Sequence, residues 1–289
     1  MEKTFRFAIK YSNFLLKLHI DLRPLFFRRV KTAIGGRLNL IISGGAPLRA
    51  ELVSGFNELG IQILNGYGIT ECAPLVSVNR NKYYKDDSVG VVVPCSKVHI
   101  HLPDHEGNGE ILVRGDNIML GYYKNEEETK KAFYDFGWFR TGDLGRLDGK
   151  GFLYVTGRIK NTIVLNNGKN VQPEELEDLL LNEIPYIKEV VVLASDDYEG
   201  SGEGVDPAAS HEKAAVLMAL AVLDKETIDE NGIENPEEKL KADIQNINRR
   251  LPSFKQIAKV ESQYEEFEKT TSKKIKRYKV REGTKNGSR

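Results

Sequence analysis

The sequence predicts an α/β layer joined to a β-rich subdomain, followed by a small α+β unit, and three observations predict it. A strand, loop, helix, strand succession runs from "RLNLIIS" through "GGAPL" to "IQIL", as open α/β sheets require. Short alternating runs, "SVGVVVP", "KVHIHL" and "GEILVRG", follow, with "PDHEGNG" as a turn between two of them. Beyond Lys160 the texture changes again, to strand, helix, strand, strand, helix. At 289 residues the chain is long for one core, so two units are expected, 1–158 and 159–289, with the boundary near Arg158 to Lys160.

From Glu2 to Leu22, Phe5, Ile9 and Leu16, and with them Phe7, Tyr11, Leu15 and Leu18, recur at helical spacing among Lys and Arg. The stripe is read as buried against its own domain, with a membrane-surface role as the second reading. "LFFRRVKTAIGG" reads as one helix closed by glycine. A helix over Arg49 to Leu59, capped by Gly60, leads into strand "IQIL" and then the loop "NGYGITE". The helix predicted from Asn125 to Asp135 carries a capping Asn, early glutamates and later lysines, as its dipole prefers. "WFRTGDLGRLDGKGFLYVTGR" reads as a hairpin turning at Asp148 to Gly151. In the last unit come a helix with an early proline in "PEELEDLLL", strand "KEVVVLAS", a Gly/Asp/Ser loop from Asp196 to Lys213, strand "AAVLMALAVL", and a helix from Pro236 to Leu251.

Composition narrows the function less than the motifs do. Lys plus Arg and Asp plus Glu balance at 42 each, so overall charge points to no partner and speaks against nucleic acid. Cys72 and Cys95 stand far apart without a CxxC, which fits reduced thiols in a cytoplasmic setting. No run of apolar residues is long enough to span a bilayer. His99 and His101 alternate on one strand face; with no third ligand nearby, an ordinary strand pair is the preferred reading over a metal site.

Six stretches stand in a fixed order: "SGGAPL", "NGYGITE", "GEILVRGDNIMLGYY", "WFRTGD", "GRIKNTIVLNNGKNVQPEELE" and "TTSKKIKR". The set resembles the adenylate-forming superfamily of acyl-CoA synthetases, peptide-synthetase adenylation domains and luciferases. "GGRLNLIISGGAPL" looks most like the long-chain fatty-acid–CoA ligase branch. The resemblance covers residues of about 35 to 281. It implies part of an acyl-CoA-synthetase-like large domain followed by a small mobile carboxy-terminal domain. The implied chemistry joins a fatty acid to coenzyme A through acyl-AMP, with ATP and Mg²⁺. Such phosphoryl transfer asks for positioning and charge stabilisation.

By resemblance, Gly45, Ala46 and Pro47 line the adenine site and Tyr67 covers the base, with Asn65, Gly66, Gly68 and Ile69 as further cofactor-binding positions. Thr70 meets the α-phosphate, and Glu71 holds Mg²⁺, since a hard cation takes carboxylate oxygen. Asp143 accepts from the ribose hydroxyls; its isolated alternative is a turn residue beside Gly142. Arg158 lies near ribose and phosphate, or forms a surface ion pair. Lys160 matches the interdomain hinge, and Asn167 and Gly168 match a loop along the pantetheine arm of coenzyme A. Lys274 carries the charge for the first step. There the family pattern, P-x-T-x-x-G-K-I-x-R, meets "EKTTSKKIKR", with Glu268 for proline and Lys273 for glycine. Either Lys273 or Lys274 is then able to reach the phosphate, although alignment on Ile275 and Arg277 selects Lys274.

The family's Ser/Thr/Gly-rich phosphate loop is not found, nor is a GxxxxGK[ST] substitute. The chain is therefore read as the carboxy-terminal half of a ligase, inactive alone, exposing apolar surface around Phe5 to Phe27 and in need of its amino-terminal half as partner. Other readings stay open: a non-catalytic AMP- or acyl-binding module, adenylation for a carrier protein instead of coenzyme A, and nucleic-acid or peripheral membrane contact through the basic tail at Lys269 to Arg281. A common cleft for Tyr67 and Asp143 is the expectation on which the nucleotide reading rests.

Overall fold

Burial of one side of each amphipathic segment decides where the elements lie, in a computed structural model that describes residues 2–46, 48–195, 216–271 and 273–286. Pro47 and the loop expected from Asp196 to Lys213 lie outside the described residues. Two units, 1–155 and 156–289, each enclose a core of their own.

The first unit begins with α1 (Glu2–Lys17), α2 (Arg23–Phe26) and α3 (Arg28–Ala33). One side of α1 is seated, with Ser12 fully buried and Asn13 Nδ2 donating to Glu58 Oε1 at 2.9 Å. The other side is not. Phe7, Tyr11, Phe14 and Leu18, at helical spacing, are exposed, which corrects the reading of a buried stripe and agrees with the expectation of exposed apolar surface around Phe5 to Phe27. The run "LFFRRVKTAIGG" also breaks into two helices where one was expected. Phe27 sits at the break, its ring buried edge-on to Phe5 with centroids 5.8 Å apart, and its backbone leaves the helical region to seat it.

Strand β1 (Leu40–Ser43) leads through α4 (Ala50–Glu58) to β2 (Gln62–Gly68), and β1 and β2 pair in parallel from Leu40↔Gln62 to Ser43↔Asn65. β2 then runs on through "NGYG", where a loop was expected, because β3 (Leu75–Val78) pairs with it antiparallel at Gly66↔Val78 and Tyr67↔Ser77. Gly68 has no freedom to be anything else: a Cβ there would lie 1.8 Å from the Pro74 carbonyl oxygen. β4 (Val91–Val92) completes this sheet.

A second sheet holds β5 (Ser96–His101) and β6 (Gly109–Gly115). After α5 (Glu126–Ala132) it adds β7 (Phe133–Tyr134), β8 (Trp138–Leu147) and β9 (Leu153–Arg158), which pairs with β8. Asn125 caps α5 as expected, accepting from Glu128 N at 3.2 Å. The helix ends at Ala132 and not at Asp135, since Phe133 and Tyr134 pair with Phe139 and Trp138. The hairpin turn at Asp148 to Gly151 is present, closed by Gly151 N donating to Asp148 O at 2.9 Å. Cys72, Val76, Ile111, Val113 and Leu153 form the core between the motifs, and burial pushes the Cys72 thiol up to about 12.

The second unit starts with the hairpin β10 (Ile163–Val164) and β11 (Asn170–Val171), then α6 (Pro173–Glu183). Its three-stranded sheet joins β12 (Ile187–Ser195) antiparallel to β13 (Val216–Leu223), and β13 parallel to a later strand. Between these lie α7 (Lys225–Glu230) and α8 (Pro236–Asn248), before β14 (Ile257–Gln263) and α9 (Arg277–Asn286). The sequence reading did not contain α7, β14 or α9. It also ran α8 on to Leu251, whereas Asn248 turns its amide to the backbone of Ile257, donating at 2.8 Å and accepting at 2.9 Å. Leu176, Leu180, Leu240, Ile244 and Ile247 pack the helices on one sheet face.

Candidate active site

Two motifs that stand far apart in the chain meet side chain to side chain. β2 carries Tyr67 and β8 carries Asp143, and the Tyr67 hydroxyl donates to Asp143 Oδ2 at 2.7 Å. Asp143 is 3 % exposed, so this charge-assisted bond sits largely away from water. Burial first, and the neighbouring Asp143 carboxylate second, hold the Tyr67 phenol well above its ordinary range, so Tyr67 stays a donor. Thr141 steadies the pair: its hydroxyl donates to Ile111 O at 2.7 Å and accepts from Asp143 N at 3.0 Å. Tyr67 and Asp143, expected to face a common cleft, meet in a direct contact.

Ile69, Thr70 and Glu71 follow at the end of β2, where residues 70–72 make one turn of 3-10 helix. Glu71 is half-buried, and its Oε1 accepts from the Tyr122 hydroxyl at 3.0 Å, while Thr70 is exposed. Asn117 braces the turn, donating to Cys72 O at 2.8 Å and Leu75 O at 3.0 Å, and Met119 N donates to Glu71 O at 2.8 Å. Neither Tyr122 nor Asn117 was singled out from sequence. Both lie inside the quoted run "GEILVRGDNIMLGYY", and the only signal was their place in that run.

At the end of β1, Gly44 approaches Gly66 so closely that a Cβ would lie 3.3 Å from the Gly66 carbonyl oxygen. Gly45 follows in the left-handed region with φ +84°, and Ala46 continues the loop. Asn65 is buried, and its Oδ1 has no hydrogen-bond partner. An orphaned acceptor beside a glycine-lined strand end fits a ligand with an amino donor, as adenine has. Among the described residues no cluster of three or more His, Cys, Asp or Glu could hold a metal ion by itself. A single carboxylate such as Glu71 fits Mg²⁺ shared with phosphates, since that ion keeps most of its ligands from water and substrate. His99 and His101 lie 6.5 Å apart by ring centroids, and their rings rest on Trp138 and Tyr134.

The remaining candidates belong to the second unit. Arg158 ends β9, and Lys160 is exposed in the short turn Ile159–Asn161. Asn167 and Gly168 form the β10–β11 turn: Asn167 Oδ1 accepts from Lys169 N at 3.0 Å, and Gly168 has φ +74°. That turn alone requires a glycine there, whatever else the loop does. Lys274 is exposed and lies in a closed loop. Thr270 N donates to Lys274 O at 2.8 Å, Lys276 N donates to Glu268 O at 2.9 Å, and Lys269 bridges Ile275. Lys269 pairs with Glu189 and Glu266, Lys276 and Lys279 with Glu268, and Arg277 with Glu177. Lys273 and Lys274 have no ion-pair partner among the described residues.

Residues 12–123 match the family model described as AMP-binding enzyme, and the chain is similar to the adenylate-forming superfamily. Within that superfamily it is similar to long-chain-fatty-acid–CoA ligases. It is 40 % identical over 192 residues to "Long-chain-fatty-acid--CoA ligase FadD15" of Mycobacterium bovis, which covers 66 % of this chain and 31 % of the relative. It is 37 % identical over 172 residues to "Long-chain-fatty-acid--CoA ligase ACSBG2" of Homo sapiens, covering 59 % of this chain and 26 % of the relative. Among solved structures, ATP-bound MatB from Rhodopseudomonas palustris matches with a TM-score of 0.72 at 25 % identity, over 92 % of this chain and 50 % of that one. The Bacillus subtilis o-succinylbenzoate coenzyme A synthetase in complex with ATP and magnesium matches with a TM-score of 0.67 at 25 % identity, over 88 % and 50 %. The chain thus spans about a quarter to a third of these curated relatives and half of these solved chains. The mixed α/β plus α+β fold class is that of acyl-CoA synthetases, in part. Among the described residues no helix is long and apolar enough to cross a membrane.

Proposed function

We propose that this chain supplies the nucleotide-binding part of an ATP-dependent acid–CoA ligase acting on a long-chain fatty acid. The observation that carries the reading is the Tyr67–Asp143 hydrogen bond, which joins the motif expected at adenine to the motif expected at ribose. The relatives' printed names supply the acid and the thiol. In this reading Gly45, Ala46 and Pro47 flank the adenine edge with Asn65, Gly66 and Gly68, Tyr67 lies against the base, and Asp143 accepts from ribose. Thr70 donates to the α-phosphate, and Glu71 would hold Mg²⁺, whose chemistry when bound is to neutralise phosphate charge.

The acid's carboxylate oxygen attacks the α-phosphorus as the bond to pyrophosphate breaks, and the thiol of coenzyme A then displaces AMP from the acyl carbon. The protein contributes placement and positive charge, not a covalent nucleophile. Lys274 is the charge for the first step, Arg158 assists at ribose and phosphate, Lys160 is the hinge, and Asn167 with Gly168 serves the pantetheine arm. The loop's ion pairs support Lys274 in that role, because among the described residues they leave it and Lys273 as the ammonium groups of the basic stretch without an ion pair. They also weaken the nucleic-acid reading of that stretch.

A chain that spans 31 % of a relative is proposed to bind nucleotide without turning over. Calorimetry with AMP tests the reading. Binding is expected, and Asp143→Ala is expected to weaken it about 10- to 100-fold, the worth of a charge-assisted hydrogen bond. No AMP binding to the wild-type chain overturns the reading. Fatty-acid-dependent pyrophosphate release by the chain alone overturns the separate expectation that it does not turn over.

A further inference from the structure

Tyr67 has a hydroxyl for which covering a base provides no use, since a phenylalanine ring presents the same face. In this structure that hydroxyl is committed. It donates to Asp143 Oδ2 at 2.7 Å, from a phenol that burial keeps protonated, to a carboxylate that is 3 % exposed. The backbone that carries the carboxylate is tied as well, because Asp143 N donates to the Thr141 hydroxyl at 3.0 Å and Thr141 in turn donates to Ile111 O at 2.7 Å. The backbone at Tyr67 is held. Its strand pairs with Ser77 on one edge, and the neighbouring Gly68 is jammed against Pro74. Two paired strands thus bring a phenol donor to one oxygen of the Asp143 carboxylate.

We propose that the Tyr67 hydroxyl is a positioning group for ribose recognition: it fixes the rotation of the Asp143 carboxylate, so that selection for the ribose hydroxyls depends on Tyr67 as well as on Asp143. The inference rests on the nucleotide reading above. A carboxylate that turns freely about its last bond spreads its acceptor directions, whereas one pinned at Oδ2 presents them in a single orientation. A ligand hydroxyl bound by a pinned acceptor gains more than one bound by an acceptor that must first be ordered.

The test compares AMP with its 2′-deoxy, 3′-deoxy and 2′,3′-dideoxy forms by calorimetry, on the wild-type chain and on Tyr67→Phe. In the wild type, loss of a ribose hydroxyl is expected to weaken binding about 10- to 100-fold. In Tyr67→Phe that penalty is expected to shrink to about threefold or less, with the dideoxy form bound within about twofold of wild type. An unchanged ribose penalty in the variant overturns the inference while leaving the nucleotide reading intact. So does a common loss for all four ligands, which is what a merely structural role produces. If the wild type binds none of them, the nucleotide reading falls and takes this inference with it. Should Tyr67→Phe fail to fold, the wild type provides the second measurement. The hydrogen-bonded phenol proton of Tyr67, followed by NMR in ring-labelled protein, is expected to persist at saturating AMP, and its loss on binding overturns the proposal.

Discussion

Lys273 sits at φ +60°, a left-handed conformation that costs an L residue about 1–2 kcal/mol. The family pattern has glycine at this position, and the backbone still has the shape that glycine serves. Lys273→Gly is therefore expected to stabilise the second unit by about 0.5–1 kcal/mol in denaturant melts, since part of the gain is offset by the freer unfolded chain. The other departure, Glu268, is explained by its pairing with Lys276 and Lys279. In the first unit, Lys85 donates to Asp148 and holds its carboxyl below the ordinary carboxylate range. A lowered folded pKa contributes stability that is complete above the unfolded value of about 3.9 and is lost as pH falls below it. Wild-type melting temperature is thus expected to drop more steeply than that of Asp148→Asn between pH 4 and pH 2, roughly the span set by that value; parallel curves refute the assignment. Tyr67, Glu71 and Asp143 were legible only through the resemblance of the ordered motifs to a known family, since an isolated Asp143 beside Gly142 reads as a turn residue. Asn117 and Thr141 were not, since an amide and a hydroxyl that bind backbone look like any surface polar residue.

Among the elements, β2 shows why the glycine-rich motif misled. Glycines mark turns when no neighbour approaches, but here Gly66 and Gly68 let β3 pair closely with the end of β2, just beyond the part that pairs with β1. α6 shows how a helix can serve two segments. Its Glu174 Oε1 accepts from Asn161 at 2.6 Å in the turn that carries Lys160, and its Glu177 pairs with Arg277 just after the Lys274 loop. Glu177 Oε1 also accepts from Val192 N at 2.7 Å. Burial holds the Glu177 carboxyl above its ordinary value despite Arg277, so wild-type stability from this group falls as pH rises from about 4.3 toward the folded value. Arg277→Ala leaves that carboxylate buried and unpaired, and is expected to cost about 3 kcal/mol near neutral pH. The penalty should shrink on acidification as Glu177 takes up a proton. A loss independent of pH between about 4 and 7 would mean that packing, not charge, is what Arg277 provides.

At the scale of the whole molecule, each unit buries a core of its own, yet α1 leaves Phe7, Tyr11, Phe14 and Leu18 in solvent beside Leu25 and Phe26. Such a contiguous apolar face drives association. The chain is expected to self-associate and to bind an apolar dye, and Phe7→Ser with Phe14→Ser is expected to lower both by sedimentation and fluorescence. A monodisperse wild type that binds no dye contradicts this. The amino-acid order alone determined the periodic segments, the change of texture near Lys160 and the ordered motifs, because helical spacing, strand alternation and turn chemistry are local properties. Three-dimensional closure decided the rest: that "NGYG" is strand, which residues of the apolar amino-terminal stretch are covered, and that Tyr67 meets Asp143. Those outcomes depend on which distant segment arrives at a given edge, and pairing between residues 76 positions apart leaves no mark on either one's neighbours in sequence.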